Sequence, residues 1–485
     1  MKQLNRQNFK SNQFPTKIMQ FGSGNFLRAF IDWQIEHLNN EHGLNAGISI
    51  IRSTGSSSRP SLNSQDGLFT TLVRGINEQG ETTEQVQLIT CVNEEIVVKD
   101  EFAKYMALAE SPELKIIVSN TTEAGIEFVE SDKLADAPAS AFPAKLTQWL
   151  YKRYQHFNGA KDAGLMIIPC ELIDYNGEKL KEVVLQYCSH WQLESGFTAW
   201  IENANHFCST LVDRIVTGFP HGEEAKLQQQ LGYQDDFMVS AEYYYLLVIQ
   251  GPAELADVLC LHDSSLNIQL VDDIYPYKQR KVAILNGAHS ALVPLAYMAG
   301  LNAVGEAMAD PLFENYVNQL VFNEIIPTLD LPKDELESFA GDVIKRFQNP
   351  FIHHLLISIS LNSMTKVQTR LVPQLLKSIE KNGQVPSLMA HAIAGQILMY
   401  SGKRGEESIE LSDSEKWLAL FADAWQAYAV GEKSLQQLVA DVLSAEWHWG
   451  QDLTQINGLH AAVSQALENI IEHGVRKTLT QVLEP

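Results

Sequence analysis

An amine, an amide and an imidazole recur within the segment Lys281-Val-Ala-Ile-Leu-Asn286-Gly-Ala-His289. A lysine exchanges a proton when burial or a nearby positive charge lowers its pKa. An asparagine amide donates to a developing alkoxide, and a histidine orients or binds a substrate oxygen. Together the three groups suit the interconversion of an alcohol and a ketone without a metal. On a helix at ~100° per residue, His289 falls about 80° and Asn286 about 140° around the axis from Lys281, so one broad face can present all three. The same spacing also fits a capped helix with a surface lysine and a hydrogen-bonded core histidine. Other segments have to separate the two readings.

The strongest of these is Lys17-Ile18-Met19-Gln20-Phe21, which reads as a strand and runs into Gly22-Ser23-Gly24-Asn25-Phe26-Leu27-Arg28. Leu27, Ile31, Ile35 and Leu38 then recur at helical spacing. A strand, a glycine turn and a helix let the backbone approach a pyrophosphate at the helix N-terminus. The third glycine of the dinucleotide fingerprint is replaced by Leu27, and a tight turn without a ligand fits the same residues. Gly22, Ser23, Gly24, Asn25 and Phe26 are therefore the candidate cofactor contacts here. A later strand ends at Ser119, and Thr121, Thr122 and Glu123 follow it at the sheet end where open α/β folds bind ligands. They are candidates for ribose or nicotinamide contacts, or equally a helix N-cap with an acidic first turn. After the strand Gly47–Arg52, an NAD site often carries an acid for the ribose hydroxyl; this sequence has Arg52-Ser53-Thr54, with Arg59 nearby. Taken alone, those residues lean toward the 2′-phosphate of NADP or are solvated loop arginines.

The chain has 485 residues, 45% of them hydrophobic, enough for a large core divided into two domains or three. Its formal charge of −23 argues against an electrostatically driven nucleic-acid or anionic-membrane binder, so an anionic substrate must be met by a local cluster of Lys and Arg. No apolar run approaches the ~20 residues that span a bilayer, and the polar start lacks a signal-peptide core, so a cytoplasmic protein is expected. Cys91, Cys170, Cys188, Cys208 and Cys260 are scattered without C-x-x-C spacing and are expected to be buried or inert thiols. The adjacent pair His353-His354 does not share a helix face and has no third ligand at a useful spacing, so no metal site is expected.

Apolar runs at Gly47–Arg52, Lys115–Ser119 and Leu165–Pro169 alternate with helical segments, which indicates an α/β domain with a mainly parallel sheet. The stretch Leu68 to Val98 is β-rich and is expected to form an antiparallel insertion or extension. From about residue 280 the pattern is almost wholly helical; Leu459, Val463, Leu467, Ile470 and Ile471 mark one face, with Gly474 as a C-cap. The expected fold is a Rossmann-like N-terminal domain, residues 1–275, with an antiparallel β extension, followed by a mainly α-helical catalytic domain, residues 276–485.

Four segments together carry a family resemblance: the Gly22–Ala29 turn, Asn120-Thr121-Thr122-Glu123-Ala124-Gly125, Val212-Asp213-Arg214-Ile215 and the Lys281/Asn286/His289 pattern. The chain resembles the mannitol dehydrogenase family of long-chain polyol dehydrogenases over nearly its whole length. Within it, Pro169-Cys170-Glu171-Leu172-Ile173-Asp174-Tyr175-Asn176-Gly177 and the segments Asn349-Pro350 and Ser363-Met364-Thr365-Lys366 are most similar to members that act on sugar acids. The resemblance implies metal-independent, NAD-dependent interconversion of D-tagaturonate and D-altronate in hexuronate catabolism. Its nearest alternatives are fructuronate/mannonate or mannitol oxidoreduction, or a nucleotide-binding regulator without turnover. It implies that Lys281 is the general acid in reduction and base in oxidation, that Asn286 polarises the carbonyl and that His289 holds the substrate oxygen. Asp213 and Arg214 are implied substrate contacts. Lys366 is implied to contact substrate; with Arg370, four residues on and on the same helix face, it is expected to bind the uronate carboxylate. A solvated basic face fits that pair too. Polyol-oxidising relatives carry an asparagine where this chain has Leu172, so that amide is absent or supplied elsewhere, by Asn176 or Asp174.

Overall fold

The structure is a computed structural model and describes residues 1–53, 55, 58–121 and 125–484. Thr122 and Glu123 lie outside the described residues, as does Thr54. The chain divides into two compact units, Met1–Ile274 and Tyr275–Pro485.

In the first unit the strands are β1 (Thr16–Phe21), β2 (Gly47–Arg52), β3 (Phe69–Ile76), β4 (Thr82–Ile89), β5 (Val92–Val97), β6 (Ile116–Ser119), β7 (Met166–Pro169) and β8 (His206–Phe207). Six of them form one parallel sheet in the order β5-β2-β1-β6-β7-β8. Alternate residues point to opposite faces, so Ile18, Ile48, Ile50, Ile116 and Val118 build one core, while Met19, Phe21, Ile51 and Ile117 build the other. Burial on both faces explains why these strands read as continuous apolar runs. Strand order reverses between β1 and β6, and such a reversal opens a crevice beyond the carboxyl ends of the strands.

The β-rich insertion is an antiparallel β3–β4 hairpin, joined by Val239–Glu242 parallel to β3 and by Val216–Gly218 beyond it. The last β-rich piece departs from the expectation. Val92–Val97 leaves the hairpin and pairs parallel to β2, because Val92, Ile96 and Val97 are buried there.

The second unit is helical apart from a short hairpin, Lys403–Arg404 with Glu407–Ser408. Its central helix, α1, is continuous through Tyr275–Arg280, Lys281–Asn286 and Gly287–Met298, with the middle piece wound as a π-helix. Gly287–Met298 packs on α2 (Ser387–Met399). That approach depends on Gly395, where a Cβ would lie 2.7 Å from the Leu295 side chain. The stripe Leu459, Val463, Leu467 and Ile470 is buried and ends at Gly474, whose φ is +79°; Ile471, expected on this face, is 41% exposed. Among the described residues no helix is long and apolar enough to cross a membrane, and no group of His, Cys, Asp and Glu could hold a metal ion. Cys91, Cys170, Cys188 and Cys208 are buried, and burial pushes the Cys188 and Cys208 thiols up to about 12, which makes them poor nucleophiles.

Candidate active site

A cleft of about 790 Å³ opens at the carboxyl ends of β1, β2 and β6, lined by Gly22, Ser23, Gly24, Arg52, Asn120 and Thr121 among others. Gly22 has φ +121°, and a Cβ there would lie 3.2 Å from the Asn120 carbonyl oxygen. Its amide donates to Ile51 O, so the turn is tied to β2. A Cβ on Gly24, at the helix start, would meet nothing within 4 Å. The glycine turn thus leaves open space over the first helical amides, as a pyrophosphate requires. Leu27, in place of the third glycine, is buried with its Cδ1 3.4 Å from the Cβ position of Gly22, so it fills the core under the turn.

Asn25 and Phe26 are not among the residues lining this cleft. Asn25 Oδ1 accepts from Arg28 Nη2 at 2.6 Å, and Phe26 stacks on Phe30, so their side chains brace the turn. The helix they begin contains a π-turn at Arg28–Asp32.

Arg52 lines the cleft but is already engaged. Its Nε lies 3.3 Å from Glu95 Oε1, and its Nη1 donates to Pro60 O at 3.2 Å. The carboxylate that pairs with Arg52 comes from β5, a signal that no local motif around residue 52 could carry. Glu95 also accepts from Ser61 Oγ and the Leu62 amide. On the other side of the switch point, Thr121 donates through its amide and Oγ1 to Glu171 Oε1, at 2.9 and 3.0 Å. Ser119 Oγ donates to the other oxygen of that buried carboxylate.

Two expectations in this unit are corrected. Arg214 is not a substrate contact: it is buried, donates to Glu242 O and Ala29 O, and lies 4.4 Å over the Trp33 ring. Burial lowers its pKa to about 10, and its work is to tie helix and strands together. Asn176 does not replace the family amide, because its carboxamide is wholly buried, donating to Glu171 O and Thr210 Oγ1 and accepting from the Thr210 amide. Leu172 is 68% exposed, and Asp213 is buried at the end of the strand Ser209–Asp213.

In the helical unit, Lys281 and Asn286 are the first and last residues of the π-turn, and both are half-buried. A turn that closes on i+5 rotates Asn286 back toward the azimuth of Lys281, closer than a regular α-helix would. His289 follows one α-turn later. Its ring stacks on Phe347 at 4.0 Å and meets His354 edge-on at 5.4 Å between centroids. Burial holds its pKa well below the usual histidine value, and His354, Arg346, Arg370 and Lys366 lower it further. The imidazole is therefore neutral at physiological pH, able to donate from one nitrogen and accept at the other.

Lys366 and Arg370 lie on the helix Ser363–Arg370. Arg370 Nη1 donates to Ser290 Oγ at 3.2 Å, beside His289, and Lys366 Nζ donates to Ile359 O at 2.6 Å. Burial and then Arg370 lower the Lys366 pKa, against the opposing charge of Asp413. Arg346, at the end of the helix Lys333–Phe347, has no spacing relation to the other cations and was invisible in the sequence.

The profile of the mannitol dehydrogenase Rossmann domain matches residues 16–261, and that of the mannitol dehydrogenase C-terminal domain matches residues 273–471. The chain belongs to the mannitol dehydrogenase family. It is an oxidoreductase acting on CH–OH groups with a nicotinamide cofactor. The altronate oxidoreductase of Yersinia enterocolitica is 52% identical over 98% of this chain and 99% of its own length. That of Escherichia coli is 52% identical over 99% of both. Two solved structures share the fold. A D-sorbitol dehydrogenase in substrate-free form superposes with a TM-score of 0.77 at 20% identity, covering 96% of this chain and 95% of its own. The Pseudomonas fluorescens mannitol 2-dehydrogenase in ternary complex with NAD and D-mannitol gives 0.67 at 21% identity over 100% of both chains.

Proposed function

We propose that the protein interconverts D-altronate and D-tagaturonate with NAD, in the cytoplasm, as a step of hexuronate breakdown. The observation that carries this reading is the neutral His289 among cations, on the same helix as Lys281 and Asn286. An uncharged polyol offers such a cluster nothing to neutralise, whereas a sugar acid brings a carboxylate. The name shared by relatives at 52% identity supports the same substrate.

The glycine turn and its open helix start fit a dinucleotide, and Ser23, Thr121, Thr122 and Glu123 belong to the proposed cofactor set with Gly22, Gly24 and Arg52, to which Asn25 and Phe26 add backbone amides at the helix start and not side chains. The bound nicotinamide supplies or accepts the hydride. Asn286 and His289 donate hydrogen bonds to the substrate oxygen as negative charge grows on it, and Lys281 delivers the proton in reduction and removes it in oxidation. Reduction consumes one proton, so lower pH favours it. Lys366 and Arg370 bind the carboxylate by charge-assisted hydrogen bonds, and Asp213 is proposed to meet a substrate hydroxyl. The pairing of Arg52 with Glu95 favours NAD, because a compensated guanidinium is a poorer clamp for a 2′-phosphate.

Lys366→Ala is expected to raise the Michaelis constant for D-tagaturonate by roughly 10–100-fold, as loss of a hydrogen bond to a charged group does. An unchanged constant removes Lys366 from the site. Steady-state rates with NADH and NADPH in competition test the cofactor, and a strong NADPH preference contradicts the NAD assignment.

A further inference from the structure

The helix Ser363–Arg370 carries Lys366 and Arg370, yet little in its own sequence holds it together. It has eight residues, fewer than the ~12–15 that make an isolated helix even marginal in water. Its two cations stand four residues apart, where like charges repel. The first turn contains no acid, and Asn362, which precedes it at φ +52°, gives no side-chain cap. The amides of a helix start need partners from outside the helix, and here one comes from 49 residues further along the chain.

Asp413 Oδ2 accepts from the Met364 amide at 3.1 Å, and its Oδ1 accepts from the Ser414 amide at 2.7 Å. The adjoining Ser412 carbonyl accepts from the Asn362 amide at 2.9 Å. Tyr400 OH donates to the same Oδ2 at 2.5 Å, from a buried ring packed 4.5 Å from that of Phe421. Burial, and then Asp413, raise the Tyr400 pKa, so the phenol stays protonated and donating. A negative charge at a helix start is favoured by the helix dipole, and Asp413 supplies the one this helix lacks. Lys366 Nζ donates to Ile359 O at 2.6 Å, and an ammonium with three donors can still hold a carboxylate. The far end of the helix has its own anchor in the bond from Arg370 Nη1 to Ser290 Oγ.

We propose that Asp413 and Tyr400 are positioning residues for substrate recognition, which fix the start of this helix so that Lys366 meets the acid group of the sugar. The inference rests on the sugar-acid reading above and adds to it the pair that places its lysine. Tyr400 orients Asp413, and Asp413 orients the turn from which Lys366 projects.

The test uses the full-length protein saturated with NADH, a complex in which the already reduced substrate binds without turnover. Dissociation constants for D-altronate and for D-altritol, its uncharged counterpart, are read from NADH fluorescence. The wild type is expected to prefer altronate strongly. Asp413→Ala is expected to cut that preference by roughly 2–30-fold, the range for loss of a helix cap, with altritol affinity nearly unchanged, and Tyr400→Phe to cut it less. Asp413→Asn, which keeps an acceptor for the Met364 amide, should restore most of it. In a Lys366→Ala background, Asp413→Ala should change the preference no further, because its effect passes through that lysine. A wild-type ratio in Asp413→Ala, no rescue by Asp413→Asn, or a full additional loss in the Lys366→Ala background each overturns the inference. Tighter binding of altronate, the result if Asp413 chiefly repels the substrate's charge, overturns it too. Should Asp413→Ala not fold, Tyr400→Phe reads the same ratios alone and beside Lys366→Ala. A wild type without preference for altronate, or a Lys366→Ala variant that keeps the full preference, overturns the reading beneath, an outcome distinct from failure of the Asp413 and Tyr400 variants alone.

Discussion

The two units build their sites in opposite ways. In the nucleotide-binding unit the site is mostly backbone: one turn at Gly22–Gly24, the open end of a parallel sheet, and acids that hold Arg52 and Thr121 in place. In the helical unit it is mostly side chains, brought to His289 from separate helices and set by a π-turn. A backbone site is written in a short contiguous motif. A convergent site is written across distances that no local pattern spans. The difference also separates cofactor affinity from chemistry, so each can be damaged while the other persists.

The largest expected effect is on chemistry. Lys281→Ala should lower turnover by roughly 10²–10⁴-fold, the range for loss of a general acid–base group, while NADH affinity measured by fluorescence titration stays near the wild-type value. Near-normal turnover would refute the role of Lys281. Gly22→Val should produce the reverse pattern. Its φ of +121° and the 3.2 Å approach to Asn120 O impose strain of about 1–3 kcal/mol, so NADH should bind roughly 5–100-fold more weakly, with turnover at saturating NADH largely kept. Equal NADH affinity in that variant would show that the turn does not need its conformation.

Glu95→Gln releases Arg52 from its ion pair and is expected to shift cofactor preference toward NADPH by roughly tenfold, the scale of one hydrogen bond to a charged group. An unchanged NADH-to-NADPH ratio would show that this pair does not set cofactor choice. The smallest effect is on stability. Burial pushes the Asp32 carboxyl, in the π-turn of the first helix, up to about 7. A raised folded-state pKa contributes stability that is complete below the ordinary aspartate value and is lost as pH rises from about 4 through about 7. Asp32→Asn should therefore melt higher than the wild type at pH 8, by on the order of a few degrees, and not at pH 4. A gain of the same size at both pH values would sink the assignment.

The same contrast decides what was legible in the sequence. The parallel strands, the glycine turn and the helical second half follow from period and punctuation, and the spacing of Lys281, Asn286 and His289 pointed to one helix. That spacing did not reveal the π-turn, because six residues wound as a π-helix carry the same apolar pattern as an α-helix. Arg214 looked like a site residue because a charged side chain in a motif suggests a ligand. Only the fold shows it capped by Trp33 and two carbonyls. Glu95 was missed because its partner Arg52 is near in space and far in sequence, across a strand pair.

The most direct measurement of the central claim is NADH oxidation by the purified protein, offered D-tagaturonate beside D-fructuronate and D-fructose. The proposed function predicts rapid oxidation with D-tagaturonate and a lower rate with D-fructuronate, and the cationic residues near His289 predict little with uncharged D-fructose. Preference for D-fructose, or silence with all three despite NADH binding, would contradict it.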